Sequence, residues 1–255
     1  MKILSVSGFV LLASVSLSLA RQVPLPFAPG ETLSYKIKWG VFSVGSAVLE
    51  VGQPEEVNGT MCHKLSLTVR TNGFADAFYK VRTKAESYID ANFTRSLLYK
   101  KRQQEGKTDR DVEVRFDYSR KLALYFNHGK LEREIPLKSS TFDPLAIAYL
   151  FRLGEVRPGQ KKILPTCDGR LVQDVEVTVK PKEKLRVPAG KYEAFEASPS
   201  LKNLRGVFKK SPKGMLRVWY SSDARRIPVK MSSKVVVGSF TARLDKIENK
   251  KVAPE

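Results

Sequence analysis

The sequence predicts a mostly β protein, built as a strongly curved antiparallel sheet or half-barrel with one apolar helix packed on it. Two observations lead to this fold class. Apolar and polar residues alternate through most of the chain, as expected for strands that bury one face of a sheet. A single stretch, Pro144 to Arg152, is apolar nearly all round, which predicts a helix packed against protein on most sides.

The first twenty residues have the pattern of a secretory signal peptide. Lys2 precedes an uncharged apolar run, Ile3 to Leu19, and small residues occupy the positions before a cleavage point after Ala20. An uncleaved membrane anchor is the alternative, because the run is just long enough to span a bilayer. We expect residues 1–20 to be a cleaved signal peptide and residues 21–255 to form a single all-β domain in the periplasm.

The composition is strongly basic. The chain has 45 Lys and Arg against 26 Asp and Glu, a formal net charge of +19. Such a surplus attracts anionic partners, which for an exported protein are membrane head groups, acidic glycans or acidic proteins. A solvated basic surface without a partner is the alternative. Nucleic acid is not expected, because the signal peptide argues for export and the basic residues lack the aromatic interleaving of a single-strand binding groove.

The chain has two cysteines, Cys62 and Cys167. In an oxidising compartment such a pair favours a disulfide, with two free thiols as the alternative. A bond between them would close a loop of about a hundred residues, worth about 4 kcal/mol in the chain-entropy model.

The first half of the mature chain predicts a meander of antiparallel strands. Its first strand, Leu33 to Val41, has the cleanest alternation in the sequence. A change of parity around Gly45 predicts a bend in the next strand. Strand character resumes from Val81 after an ambiguous stretch. The polar segment 100–110 predicts two strand ends around an exposed loop at residues 105–107.

One helix is predicted after Asp143. This residue is a suitable N-cap, and Pro144 occupies the first helical position, where proline is tolerated. We expect the helix to end near Gly154 and to cover the sheet.

Two alternating blocks near the C-terminus predict a long antiparallel hairpin connected by residues 221–226. Their apolar faces comprise Leu216, Val218 and Tyr220 in the first block and Val229, Met231, Val235 and Val237 in the second. After Gly238 the apolar positions change parity, which predicts a bulge or sharp bend. The preceding segment, 199–214, is rich in Pro, Gly and basic residues and predicts a loop beside the hairpin.

No catalytic constellation is found in the sequence. The HExxH, paired CxxC, Gly-x-Ser-x-Gly and phosphate-loop motifs are absent. His63 follows Cys62, but neighbours on a strand point to opposite faces, so the pair is poorly placed as base and nucleophile. His128 is predicted in a turn, and Asp143 and Asp223 are interpreted as capping and turn residues. We expect neither an enzyme nor a cofactor or metal site; a glycan hydrolase is a distant alternative.

Ligand binding is the function that the residues favour. Strongly curved sheets of exported proteins can hold an apolar ligand in their concavity. The candidate ligand-binding residues, aromatic and concentrated at the two ends of the chain, are Tyr35, Trp39, Phe42, Trp219, Tyr220 and Phe240. The alternative is that they belong to the core. The two tryptophans are the most informative, because an indole N–H needs a partner and is often left partly wet.

Short motifs at both ends and in the middle of the chain form a recognisable combination. They are FAPGETLSY at 27–35, WG at 39–40, VG at 44–45, DPL at 143–145, VPAG at 187–190, VWYSSD at 218–223, RIPV at 226–229 and GS at 238–239. Together they resemble the bacterial exported family called domain of unknown function 3108. The resemblance implies a periplasmic or envelope-associated β protein of unassigned biochemistry, and it supplies no catalytic residue.

These observations predict an envelope binding protein whose concave face takes a lipid or other amphiphile. Its basic exterior favours anionic membrane or glycan surfaces. The alternative is an envelope scaffold or assembly partner that binds protein through a sheet edge or through the 199–214 loop.

Overall fold

Strands make up 66% of the computed structural model, which describes residues 25–199, 215–235 and 238–249. The strands are β1 (Glu31–Trp39), β2 (Phe42–Val51), β3 (Glu55–Val57), β4 (Thr60–Thr71), β5 (Val81–Asp90), β6 (Ser96–Glu105), β7 (Thr108–Asp117), β8 (Leu122–Asn127), β9 (Lys130–Pro136), β10 (Lys161–Cys167), β11 (Val172–Val187), β12 (Gly190–Pro199), β13 (Met215–Ser221), β14 (Pro228–Val235) and β15 (Gly238–Asn249). The helices of the described residues are α1 (Gly73–Asp76) and α2 (Pro144–Leu150).

All these strands belong to one antiparallel sheet. Its hydrogen-bonded order is β10-β11-β12-β13-β14-β15-β1-β2-β4-β5-β6-β7-β8-β9, with β3 paired to β4 beside this path. The end strands, β10 and β9, are not paired with each other, so the sheet is not closed. The predicted mostly β class and curved antiparallel sheet are confirmed.

The two ends of the sheet meet along a seam, where the chain that follows β9 contacts β10 and β11. The backbone N–H of Phe142 donates to the carbonyl of Pro165 at 2.8 Å, and the N–H of Cys167 donates to the carbonyl of Phe142 at 2.8 Å. Lys138 Nζ lies 2.7 Å from the Asp174 carboxylate on β11. These contacts hold the open sheet in a barrel-like curl.

The N-terminal strands follow the predicted alternation. Leu33 and Tyr35 of β1 are buried, as the pattern requires. However, β1 ends at Trp39, and Val41 is 82% exposed, so the prediction of a strand reaching Val41 is wrong. The reason is that Gly40, with φ of 57°, turns the chain before Val41 is reached.

The predicted bend at Gly45 is confirmed as a β-bulge. The register between β1 and β2 shifts beside this glycine. A Cβ at Gly45 would lie 2.2 Å from the carbonyl oxygen of Arg70 on β4. Only glycine therefore allows β2 and β4 to approach this closely.

The helix α2 begins where the sequence predicts. Asp143 Oδ1 accepts hydrogen bonds from the backbone N–H groups of Leu145 at 2.8 Å and Ala146 at 2.9 Å, which confirms the N-cap. After Leu150 the backbone bonds shift to tighter i→i+3 turns, so the helix ends before the predicted Gly154. The helix contacts β4, β5 and β10.

β13 and β14 form the predicted C-terminal hairpin. The register shifts between Trp219 and Tyr220, and both side chains are buried, although alternation predicts only Tyr220 on the apolar face. A bulge explains the difference, because it interrupts the strict alternation of faces. Val229 is buried and Met231 half-buried, whereas the Val235 side chain and Val237 lie outside the described residues.

The parity change at Gly238 marks a reversal of the chain. Gly238 pairs with Val235, and β15 then runs antiparallel to β14. The predicted sharp bend is therefore the turn between two strands, and the alternative of a bulge is wrong. A parity change alone does not distinguish a bulge from a return strand, because both shift the apolar positions by one.

The described residues form two hydrophobic clusters in the core. The larger includes buried side chains from most strands of the sheet together with Leu145, Ala146 and Tyr149 of α2. The smaller contains Phe151, which follows α2, packed with residues of β11, β12 and β13. The side of the sheet covered by α2 is therefore filled by the protein's own side chains.

Candidate functional site

Three of the six aromatic residues predicted to bind a ligand lie in the core. Tyr35, Trp219 and Tyr220 are 1%, 2% and 3% exposed. The Tyr35 hydroxyl donates to the carbonyl of Pro228 at 2.7 Å, and the Tyr220 hydroxyl to that of Ala148 at 3.0 Å. The indole N–H of Trp219 donates to the Glu183 carboxylate. Their polar atoms are satisfied internally, as in ordinary core residues.

The other three aromatic residues come together at one end of the molecule. Trp39 of β1 pairs in register with Phe240 of β15, and their rings stack with centroids 6.3 Å apart. Phe42, the first residue of β2, stacks on Phe74 of α1 at 5.9 Å. The β1–β2 turn therefore carries aromatic rings on both sides.

Further apolar side chains extend this cluster. Phe74 lies edge to face with Phe78 at 5.7 Å. We call the cluster the aromatic tip; it comprises Trp39, Val41, Phe42, Phe74, Phe78, Tyr79 and Phe240. Val41 and Phe78 are 82% and 79% exposed, and Phe42, Tyr79 and Phe74 are each more than half exposed. Soluble proteins rarely present so many large apolar side chains together without a binding role.

Hydrogen bonds of Asn72, the N-cap of α1, hold the aromatic tip in place. Asn72 Oδ1 accepts from the N–H of Ala75 at 3.0 Å. Its Nδ2 donates to the carbonyl of Ser43 at 2.8 Å, and its backbone N–H to that of Val44 at 3.0 Å. These bonds attach α1 to β2, so Phe42 and Phe74 keep a fixed relative position.

Two further contacts fix the far side of the tip. Asp76 pairs with Arg82 at 2.6 Å, and this hydrogen-bonded guanidinium lowers the pKa of the Asp76 carboxyl. The Tyr79 ring packs against Gly106 in the β6–β7 turn, where a Cβ would lie 2.5 Å from the ring. The acidic residue of α1 is thus neutralised, and Tyr79 is held by the sheet.

Basic residues adjoin the aromatic tip in sequence. Lys38 precedes Trp39, Lys80 follows Tyr79, and Lys107 follows Gly106. All three lysines are exposed. Exposed apolar rings with exposed lysines next to them in the sequence suit a surface that is itself apolar within and anionic outside.

Sequence reasoning missed four of the seven residues in the tip. Val41 alternates with β1 and was predicted to continue that strand. Phe74, Phe78 and Tyr79 fall in the stretch interpreted as ambiguous. The available signal was the spacing of Phe74 and Phe78, which places both rings on one side of a helical turn that follows Asn72 and Gly73.

A buried ion pair joins distant parts of the chain. The Arg152 guanidinium, 1% exposed, binds both carboxylate oxygens of Glu31, with Nη2 at 2.9 Å from Oε2. It also donates to the carbonyls of Pro26 at 3.1 Å and Arg225 at 3.2 Å, and it lies 4.8 Å from the centre of the Phe27 ring. The guanidinium therefore links three segments of the chain through hydrogen bonds and is enclosed by them.

Asp143 is also buried and fully bonded. Besides capping α2, it accepts from the Ser87 hydroxyl at 2.5 Å and from the Ser96 hydroxyl at 2.6 Å. Burial raises the pKa of its carboxyl, although these hydrogen bonds favour the ionised form. All its acceptors serve the protein itself, which fits the predicted capping role.

Both cysteines are free thiols and buried in the structure, so the disulfide favoured by the predicted compartment is not formed. Cys62 is on β4 and Cys167 on β10, two strands that are not neighbours in the sheet. Burial raises the pKa of each thiol to about 11, which disfavours the reactive thiolate.

The histidines occupy the structural positions that the sequence predicts. The His63 ring stacks on Phe93 at 4.4 Å, and its Nε2 lies 3.2 Å from the carbonyl of Ala91. His128 is exposed in the β8–β9 turn. In residues 25–199, 215–235 and 238–249, no group of three His, Cys, Asp or Glu side chains could hold a metal ion. The helices of these same residues are too short to cross a membrane.

Solved structures of similar fold are found by comparison. A beta-barrel-like protein of domain of unknown function DUF1849 from Brucella abortus shares 11% identity with a TM-score of 0.59, over 89% of this chain and 100% of that chain. This likeness shows the fold. A protein with a YmcC-like fold from Bacteroides fragilis shares 11% identity with a TM-score of 0.35, over 88% of this chain and 98% of that chain. Among the curated proteins, none matches the chain.

The family resemblance of the sequence motifs is confirmed. The family described as "Protein of unknown function (DUF3108)" matches residues 34–245. This range runs from β1 to β15 and includes the aromatic tip, α2 and the C-terminal hairpin. The chain therefore belongs to the DUF3108 family.

Proposed function

We propose that this chain is an exported envelope protein that binds the surface of an anionic lipid membrane through its aromatic tip, without catalysing a reaction. The observation that carries the proposal is the exposure of Val41 and Phe78 beside Phe42, Phe74 and Tyr79. Aromatic and aliphatic side chains that stand out from a protein surface insert readily at the boundary between lipid head groups and acyl chains.

Electrostatics favours the same partner. The formal net charge of the whole chain is +19, and Lys38, Lys80 and Lys107 adjoin the tip. Each basic residue close to an anionic membrane contributes about 1 kcal/mol of attraction. Because the acidic residue in α1, Asp76, is paired with Arg82, it opposes this attraction little.

The proposed lipid contact is the aromatic tip and not the concave face that the sequence predicts. Tyr35, Trp219 and Tyr220, the predicted lining of a concave site, are enclosed in the core. The space beside α2 is occupied by the larger hydrophobic cluster. An amphiphile therefore finds accessible apolar surface at Trp39, Phe42 and their neighbours.

The scaffold alternative has less support. The edge strand β9 is highly charged, is exposed along most of its length and ends at Pro136. The other edge strand, β10, carries Lys161, Lys162 and Pro165. Charges and prolines on edge strands hinder pairing with another chain. Most of the 199–214 loop lies outside the described residues.

Vesicle co-sedimentation of residues 21–255 tests the proposal. We expect binding to vesicles that contain phosphatidylglycerol and weak binding to pure phosphatidylcholine. Phe78→Ser and Val41→Ser should each weaken binding about tenfold, since an inserted apolar side chain contributes about 1–2 kcal/mol. Ile163→Ser is the matched control, because Ile163 is 63% exposed but lies on β10 outside the tip.

Two outcomes would count against membrane binding. One is that the unmodified protein stays in the supernatant with anionic vesicles. The other is that Phe78→Ser and Val41→Ser bind as tightly as Ile163→Ser. A stoichiometric protein partner that persists at high salt in a pull-down from envelope extract would favour the scaffold alternative, because salt screens purely electrostatic adhesion.

A further inference from the structure

A polar groove lies at the seam of the half-barrel and shares no residue with the aromatic tip. Its volume is about 390 Å³. One wall comes from β7, β8 and β9, and the other from the turn between β10 and β11. The lining includes Arg110, Tyr125, Asn127, Glu132, Arg133 and Arg170. We call it the seam groove.

Three arginines line this groove. Other arginines nearby are paired: Arg102 on β6 contacts Asp111 at 2.8 Å, and Arg115 on β7 contacts Glu113. Arg110, Arg133 and Arg170 form no ion pair with any carboxylate of the described ranges. Uncompensated guanidinium groups gathered around one concave surface raise the local concentration of anions.

Two carboxylates adjoin the arginines, Glu132 in the lining and Asp168 in the turn that carries Arg170. Glu132 Oε1 accepts from Asn127 Nδ2 at 2.9 Å. Asp168 Oδ1 accepts from the backbone N–H of Arg170 at 2.9 Å and stabilises its own turn. Neither carboxylate is paired with a guanidinium of the groove, and the three arginines of the lining outnumber its one carboxylate, Glu132.

A further cation lies close to this cluster. Burial lowers the pKa of the Lys101 ammonium, and the charges of Arg110 and Arg170 add to the lowering, whereas the carboxylates of Glu105 and Asp168 oppose it. Arg110 and Arg170 therefore lie close enough to Lys101 to act on its charge.

The turn that carries Arg170 is packed firmly against the sheet. Gly169 has φ of 85°, and a Cβ there would lie 2.5 Å from the Tyr125 ring. Only glycine fits this contact, and it fixes the position of Arg170 relative to the wall formed by Arg110 and Arg133. The packing of this turn on the sheet therefore fixes the shape of the groove.

The chemistry of the lining selects a class of ligand. A phosphate monoester carries between one and two negative charges at neutral pH and accepts paired hydrogen bonds from guanidinium groups. A groove of this volume has room for a sugar-sized body as well. Asn127 Oδ1 is buried without a donor among the described residues, so the lining is not self-sufficient in hydrogen bonds. We propose that the seam groove binds a phosphorylated sugar, with Arg110, Arg133 and Arg170 contacting the phosphate.

Isothermal titration calorimetry with glucose 6-phosphate tests this site on residues 21–255. We expect binding that is at least tenfold tighter than for glucose or for inorganic phosphate. Arg133→Gln and Arg170→Gln should each weaken it at least tenfold. Arg157→Gln, which removes the same charge from an exposed Arg157–Glu155 pair, should change affinity less than twofold. Thermal unfolding of each variant without ligand verifies that it is folded.

A second arm distinguishes a free sugar phosphate from the head group of a glycolipid. Lipid A micelles present a phosphorylated disaccharide on a lipid. Binding to the micelles alone, weakened by Arg133→Gln and Arg170→Gln, assigns the groove to the head group. The proposal is overturned if neither probe binds, or if these variants bind as Arg157→Gln does. Equal affinity for inorganic phosphate and glucose 6-phosphate would overturn the role of the sugar.

Discussion

At the scale of single residues, the buried guanidinium of Arg152 connects the N-terminal segment, the end of α2 and the β13–β14 connection. It binds Glu31, the first residue of β1, and it reaches the carbonyls of Pro26 and Arg225. A buried charge is tolerated only when its partners replace the lost water. These contacts meet that requirement, so the loss of one partner alone would leave a buried charge uncompensated.

Removal of this guanidinium should destabilise the protein strongly. Arg152→Met leaves the Glu31 carboxylate buried without its partner, and we expect the free energy of unfolding in urea to fall by about 3–5 kcal/mol. The double variant with Glu31→Gln should recover part of the loss. Arg157→Met, at an exposed pair, should cost less than about 1 kcal/mol. A loss below 1 kcal/mol for Arg152→Met would contradict the assignment.

Sequence reasoning did not find this pair, and the reason is its separation. Glu31 and Arg152 are 121 residues apart, and neither stands in a local pattern that reveals its partner. By contrast, the capping role of Asp143 was predictable, because a helix cap depends only on the next few residues.

In the aromatic tip, a local pattern is present but misleading. Val41 has the alternation of a buried strand residue, but the turn at Gly40 leaves it in solvent.

At the scale of elements, the strands were predictable because a half-buried sheet imposes a period of two on the sequence. The observed strands differ from the predicted ones where a bulge adds a residue to a strand or where the chain reverses. Trp219 and Tyr220 are both buried at a register shift, and Gly238 starts a new strand that returns along β14. In both places the pairing with the neighbouring strand determines which side chains are buried, and the local sequence pattern does not identify that neighbour.

Close packing of β2 on β4 gives a testable consequence at Gly45. Gly45→Ala would place a methyl group against the carbonyl of Arg70, so we expect a loss of about 2–3 kcal/mol in the free energy of unfolding. Gly73→Ala is the matched control, since a Cβ there meets nothing within 4 Å and alanine favours helix α1. Urea unfolding followed by circular dichroism measures both. Equal effects of the two substitutions would contradict the close approach.

At the scale of the whole molecule, the curl of the sheet creates features that no local pattern contains. Arg110, Arg133 and Arg170 come from separate strands and turns, and they line one groove because the two ends of the curled sheet meet at the seam. The same curl fills the interior with side chains and leaves Trp39 and Phe42 at one end. The fold class, the helix and the basic character follow from the sequence. The seam groove and the aromatic tip, in contrast, depend on how the sheet curls.

Quenching of tryptophan fluorescence by brominated lipid tests most directly whether the aromatic tip enters the membrane. The chain has two tryptophans: Trp39 is in the tip, and Trp219 is 2% exposed in the core. With vesicles of brominated phosphatidylglycerol, we predict strong quenching in the unmodified protein and little in Trp39→Phe, although both proteins bind. Equal quenching of the two proteins, or bound protein without quenching, would contradict insertion of the tip.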